Sequence, residues 1–356
     1  MLARLLSASC SSVNRQIHAD NLQATVFGPL LAPIISGFAS PTIGWRWSFW
    51  IGLIYAVVSL ALLAFLPETF APVLLERRAR RLRKANPALR VLAPRELEPR
   101  SIRQLATVVL TRPLRMLASE LIVSTTCAYL ALIYTIFYMS FQAFPLVFQG
   151  LYGLSPGATG LAFLPIGAGA VLALPVFWGY DALVRRAQAR GRPWAKRDEC
   201  RRVPLAFLGG PVFALSLFWL GFAARPDLPF AAPMLAGVPF GLGFLLIFMA
   251  LLNYLTDAYE IFAASANAAA STTRSLLATV LPLATAPLFR RLGVAGACSL
   301  LGGLSAVMCV VPYIFVWKGE TIRARSRFCL ALKEQKAEMA RRVEEQRSRQ
   351  RRRQPV

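Results

Sequence analysis

Charge is partitioned along this chain in a way that points to a membrane. Of its 40 lysines and arginines, 33 fall in three intervals, 67–115, 185–202 and 318–353, which hold 12, 8 and 13. The windows between them are apolar almost throughout. About 20 consecutive apolar residues cross the roughly 30 Å hydrocarbon core of a bilayer. With 56% hydrophobic and 16% charged residues, the expected fold class is all-α, a polytopic membrane protein with about eight transmembrane helices.

A net charge of +23 would by itself suit a nucleic-acid partner. Its placement argues otherwise. The intervals that alternate with the basic ones hold four cations, Arg46, Arg225, Arg290 and Arg291, and the remaining three are Arg4, Arg15 and Arg274. Clustered Lys and Arg mark the cytosolic side, because translocating them is strongly disfavoured. The three basic intervals are therefore placed in the cytosol. The expected surroundings are the lipid bilayer, with no nucleic acid. Six cysteines are widely spaced and His18 is the sole histidine, so no metal site, disulfide framework or cofactor is expected.

Residues 1–23 are too polar to span. They faintly resemble a mitochondrial transit peptide, though an ordinary cytosolic N-terminus or a gene-model artefact is the simpler reading. Residues 24–66 carry two spans, about 24–41 and 46–66, the second entered through WRWSFW, where an interfacial aromatic belt belongs. The basic block 67–117, opening PETFAPVLLERRARRLRKANP, is a cytosolic central loop. Six more spans fill 118–317, at about 118–148, 157–184, 203–224, 230–255, 261–289 and 293–317. The basic tail 318–356 pairs Glu338 with Arg342 and Glu345 with Arg349 at i,i+4, which suits a solvated helix. Both termini then lie in the cytosol.

Several residues could carry chemistry. In SELIVSTTCAYLALIYTIFYMSFQAFPLVF, helical spacing puts Glu120, Cys127, Ala131, Tyr134, Tyr138, Phe141 and Pro145 on one face. Such an aromatic stripe suits a cavity for amphipathic or cationic molecules; ordinary helix packing explains it equally well. Glu120, at the edge of that span, is a candidate proton carrier, since loss of water favours a neutral carboxyl. Asn253 and Tyr254 are further cavity candidates in FLLIFMALLNYLTDAYE, and Asp257 stands one turn beyond Asn253. Arg274 lies well inside an apolar window. It needs a carboxylate or carbonyl partner, or a helix that starts late enough to keep it near water. Asp257 and Asp181 are the nearest acids by depth, which favours a cytosolic gate pair over a substrate role. WGYDALVRRAQARGR reads as a Gly-x-Asp turn, with Asp181 and Arg185 able to bridge two helices. No nucleophile–base set or nucleotide motif appears, so an enzyme is not expected.

Taken together, GWRWSFW, PETFAPVLLERRARRLR, NYLTDAY, RSLLATVLPLATAPLF and LGVAGACSLLGGLSAVMCVVPYIFVWKGETIRARSRF resemble a fungal major facilitator superfamily transporter. The resemblance covers about 28–328. It is to the drug:proton antiporter group that includes polyamine and azole exporters, here lacking the first four helices. It implies a partial first half and a complete six-helix second half, working as a monomer in the plasma membrane. The implied activity is proton-coupled export of small organic molecules, drug- or polyamine-like, by alternating access. Gly28, Pro29, Pro33 and Gly37 resemble the family's antiporter-motif helix, with Ala32 and Ser36 in place of glycines, which weakens the helix contact expected there. Gly179-Tyr180-Asp181 with Arg185 and Arg186 resembles the second copy of its loop motif. Where the family has Glu-Pro this chain has Glu120-Leu121, so the family's helix break need not occur here. The alternative expectation is a truncated remnant or membrane partner that does not transport.

Overall fold

The computed structural model describes residues 28–65, 68, 71–86, 102–196, 198–326, 328 and 330, and among these the regular structure is helical, with no strand. Two expectations therefore lie outside the described residues: those for 1–23 and for the helix carrying Glu338 and Glu345. The chain forms two compact units, residues up to 38 together with 113 onward, and residues 39–112.

The smaller unit contains the end of α1 (Gly28–Ile43), α2 (Trp45–Ala64), α3 (Ala71–Ala85) and the first part of α4 (Ile102–Ser119). Helix α2 is apolar on every side and none of its residues is buried. Such a helix is suited to lipid or to other apolar helices. The basic block is not simply a loop: α3 carries Arg77, Arg78, Arg80, Arg81, Arg83 and Lys84 on helical backbone, and Glu76 pairs with Arg80 one turn away.

The larger unit is a helix bundle. Its long elements are α5 (Leu121–Phe144, extended by a wider turn to Gln149) and α7 (Leu164–Ala189), the latter preceded by the short α6 (Pro156–Leu161). After the short α8 (Asp198–Arg202) comes α9 (Pro204–Ala223); the short α10 (Ala231–Leu235) then leads into α11 (Gly237–Tyr259). The last apolar stretch, Ala263–Gly319, is 57 residues long. At 1.5 Å per residue it would reach about 85 Å, nearly three hydrocarbon thicknesses. It does not run straight: Gly293, at φ 70° and ψ 176°, interrupts α13 (Thr285–Met308) with a backbone that residues bearing a Cβ rarely adopt. The ring of Phe262, just before the stretch, lies 5.3 Å from that of Phe328, just beyond it. The stretch therefore goes out and returns, as α12 (Ala263–Val280) leading into α13 and then α14 (Val310–Arg325).

Helix α11 sits at the centre, packed on α5, α7, α9 and α12. Association of helices in lipid lacks a hydrophobic drive and depends on close packing of small residues. A Cβ at Gly241 of α11 would fall 2.0 Å from the carbonyl oxygen of Ile166 in α7, and one at Gly169 of α7 would fall 2.0 Å from that of Val238 in α11. The two backbones are thus in direct contact. On α12 the Ala-rich run ASANAAAS does the same service against α5, with Ala266, Ala269 and Ala270 buried.

The first turns of α1 dock on α6. A Cβ at Gly37 would meet the Pro156 carbonyl oxygen at 2.6 Å, and one at Gly160 would meet that of Pro33 at 2.7 Å. This approach is made through Gly37 and Pro33, while Ala32 is exposed. No neighbour lies within 4 Å of a Cβ placed at Gly28.

Helix α4 gives way to α5 at Glu120, whose backbone is extended at φ −109° and ψ 109°. The break is present without the proline. It strands the Leu117 carbonyl, and the Ser124 hydroxyl satisfies it at 2.6 Å. Stranded buried carbonyls are costly, so Ser124 supplies locally what makes the break tolerable.

Candidate functional site

From the middle of α5 to its far end, one face is only half covered. Cys127 and Ala131, nearer Glu120, are fully buried, whereas Tyr134, Tyr138 and Phe141 are half-buried against the core. The seven-residue stripe is thus two surfaces. Its lower part packs; its upper part remains partly open. Behind the open part lies a ring array: Phe137 stacks on Phe244 at 4.9 Å and on Phe240 at 6.4 Å, while Phe141 meets Phe163 of the α6–α7 junction at 5.3 Å. The Tyr134 and Tyr138 rings are 4.8 Å apart and their hydroxyls 3.2 Å apart. The spacing of Phe240, Phe244 and Phe248 at four-residue intervals on α11 was available in the sequence as the mate of this stripe.

Arg274 joins this cluster. Its guanidinium carbon lies 5.2 Å from the centre of the Tyr134 ring and 5.1 Å from that of Phe248, the two rings stacked on each other at 6.3 Å. Cation–π attraction of this kind contributes about 2 kcal/mol where water is scarce. The expected pairing with Asp257 does not occur. Nor does α12 start late: it begins at Ala263, so Arg274 is three turns inside.

Asp257 instead accepts from Arg202 Nε at 3.1 Å. Arg202 closes the loop between α7 and α9, so the pair ties that loop to the end of α11. No sequence signal distinguished Arg202 from the other cations of its run. The guanidinium is 9% exposed and the carboxylate 37%. Solvent on the acid side screens the pair, which limits its contribution to about 1 kcal/mol. A double-mutant cycle with Arg202→Ala and Asp257→Ala is expected to return a coupling of that size in thermal unfolding. Strict additivity would remove the tie. Asn253 shares a helical face with Thr256 and Asp257, and Thr256 Oγ1 accepts from Asn267 Nδ2 of α12 at 2.9 Å. Tyr254 does not face the open cluster: it is 1% exposed and stacks on Phe315 of α14 at 5.4 Å.

At the same end of the bundle, Glu120 is 3% exposed. Tyr259 donates its hydroxyl proton to Oε2 at 3.1 Å, and the Phe328 amide approaches Oε1 at 3.5 Å. The Glu120 carboxyl thus joins α5, α11 and the segment after α14. Gly179, Tyr180 and Asp181 form no turn; they lie within the continuous helix α7, where Asp181 pairs with Arg185 at 3.2 Å and Arg186 is exposed. The Tyr180 hydroxyl donates to the Cys200 carbonyl and ties α7 to the segment that follows it.

Comparison with known proteins agrees with this architecture. Residues 24–282 match the Major Facilitator Superfamily. The chain is 35% identical over 317 residues to the transporter paaT of Penicillium rubens, covering 88% of this chain and 57% of that one. It is 38% identical over 310 residues to the efflux pump FUBT of Fusarium oxysporum, covering 86% and 51%. It is 32% identical over 338 residues to polyamine transporter 4 of Saccharomyces cerevisiae, covering 87% and 51%. The chain thus spans about half the length of the curated relatives it matches. No solved structure matches it.

Proposed function

Because the chain belongs to the major facilitator superfamily, we propose that it is a multi-pass membrane transporter that exports small amphipathic organic molecules, of the drug:proton antiporter group. The observation that carries this reading is the half-open aromatic face of Tyr134, Tyr138 and Phe141, backed by buried rings and joined by Arg274. Helix α12 starts at Ala263 and Arg274 lies 11 residues on, about 16 Å along the axis and halfway across a roughly 30 Å core. Major facilitators place substrate at that depth and rock two helical halves around it.

In this reading the charged loops lie in the cytosol, and the Glu120 end of the bundle faces the same side. The Arg202–Asp257 pair acts there as a closure element, since it ties the segment before α9 to the end of α11, parts that would separate on inward opening; Asp181 and Arg185, paired within α7, flank it on the same side. Glu120 is the proton site. Its carboxyl is nearly enclosed and held by a tyrosine hydroxyl from α11, so a change in its charge alters the α5–α11 contact directly. The plasma membrane is the proposed location. The test is flux of a fluorescent organic dye in sealed vesicles containing the chain under an imposed pH gradient. Gradient-dependent flux above that of empty vesicles is expected; equal flux overturns the reading.

A further inference from the structure

We propose that Arg274, with the rings of Tyr134, Tyr138 and Phe248, forms a subsite for an anionic group, so that the molecules bound here are aromatic or amphipathic organic anions such as monocarboxylates. The proposal rests on the transport reading and narrows its substrate class.

Three observations carry it. The first is charge. Among the described residues no carboxylate pairs with Arg274; the acids at that end of the bundle are engaged elsewhere, Asp257 by Arg202, Asp181 by Arg185 and Glu120 by Tyr259. A cation at mid-bilayer depth without a counter-ion is expensive and is kept where function needs it.

The second is donor capacity. A guanidinium offers five N–H donors and accepts nothing. Among the described residues its only hydrogen bond is a long one, Nη2 to Ser271 Oγ at 3.4 Å, and buried Nε has no acceptor. The Tyr134 and Phe248 rings hold the group in place by their faces, but ring faces do not neutralise it. The donors suit a carboxylate, which accepts two parallel N–H bonds from arginine's planar fork.

The third is what lies beside the charge. Tyr138 and Phe141 continue the same half-open face away from Arg274, giving an apolar platform for the body of a ligand whose anionic end is at the guanidinium. The hydroxyl pair of Tyr134 and Tyr138 can turn a further O–H toward that end. A cationic ligand would meet a like charge where little water screens it, so the geometry selects against polyammonium compounds.

The test uses the chain in phosphatidylcholine nanodiscs and isothermal titration of three isosteric probes, naphthoate, naphthamide and naphthylmethylammonium, with empty nanodiscs subtracted. Naphthoate is expected to bind at least about tenfold more tightly than the amide, the scale of one charge-assisted hydrogen bond, and the cation most weakly. Arg274→Gln should remove the preference and Arg274→Lys should retain part of it. Equal binding of naphthoate and naphthamide by the unaltered chain overturns the proposal, and that comparison stands even if the Gln variant fails to fold. Displacement of naphthoate by phosphatidylglycerol added to the nanodiscs overturns it in favour of a lipid headgroup. The readout needs no gradient. Charge selectivity without flux would leave the subsite and remove transport; flux without charge selectivity would do the reverse.

Discussion

Replacing Gly241 by alanine is expected to cost the bundle roughly 3 kcal/mol or more, at the upper end of what overpacking a core usually costs. The added methyl would sit 2.0 Å from the Ile166 carbonyl oxygen and 2.8 Å from its carbon. Both are backbone atoms, so no rotamer change relieves the clash; α7 and α11 must move apart. The reciprocal contact at Gly169 moves with them. Gly303→Ala on α13 provides the opposite sign. Nothing lies within 4 Å of a Cβ there, and alanine favours helix over glycine by about 1 kcal/mol. Thermal unfolding in detergent should show Gly241→Ala well below the unaltered chain and Gly303→Ala at or above it. Equal midpoints for the two variants would mean that α7 and α11 are not in backbone contact.

Glu120→Gln is expected to abolish the dependence of flux on a pH gradient while leaving the chain folded. Glutamine keeps the shape of the side chain and can accept from the Tyr259 hydroxyl, but it cannot gain or lose the proton. A drop of at least about tenfold in gradient-driven flux is expected, a conservative figure beside the roughly hundredfold or more that a positioned proton-transfer group contributes in catalysis. Tyr259→Phe should fall between, because it removes the hydroxyl bonded to Oε2 and leaves the carboxyl. Undiminished gradient-driven flux in Glu120→Gln would take the proton role away from this residue.

Much of the architecture was legible because bilayer thickness dictates helix length and because basic residues avoid crossing. Partners were not. Arg274 was expected near Asp257, since charge and depth are all that a sequence offers; the structure instead puts it against Phe248 of the preceding helix and Tyr134 of α5, remote in sequence. Tyr254 and Tyr134 look alike as tyrosines in apolar helices, yet one stacks beneath α14 and the other meets the open face. The break at Glu120 was missed because proline is its familiar cause. Here a serine hydroxyl four residues on makes it tolerable by capping the stranded carbonyl.

The most direct test of the central claim is whether the Tyr138 face meets water across the membrane's interior. Single cysteines at Tyr138 and at Leu215, the latter 65% exposed on α9, would be introduced after replacing all six native cysteines. A charged, membrane-impermeant thiol reagent, applied to inside-out and right-side-out vesicles, reports the rate. The account predicts that Tyr138→Cys is labelled far faster than Leu215→Cys and is protected by a bound organic anion. Labelling of Tyr138→Cys no faster than Leu215→Cys would mean that the aromatic face meets lipid or protein rather than a transport path.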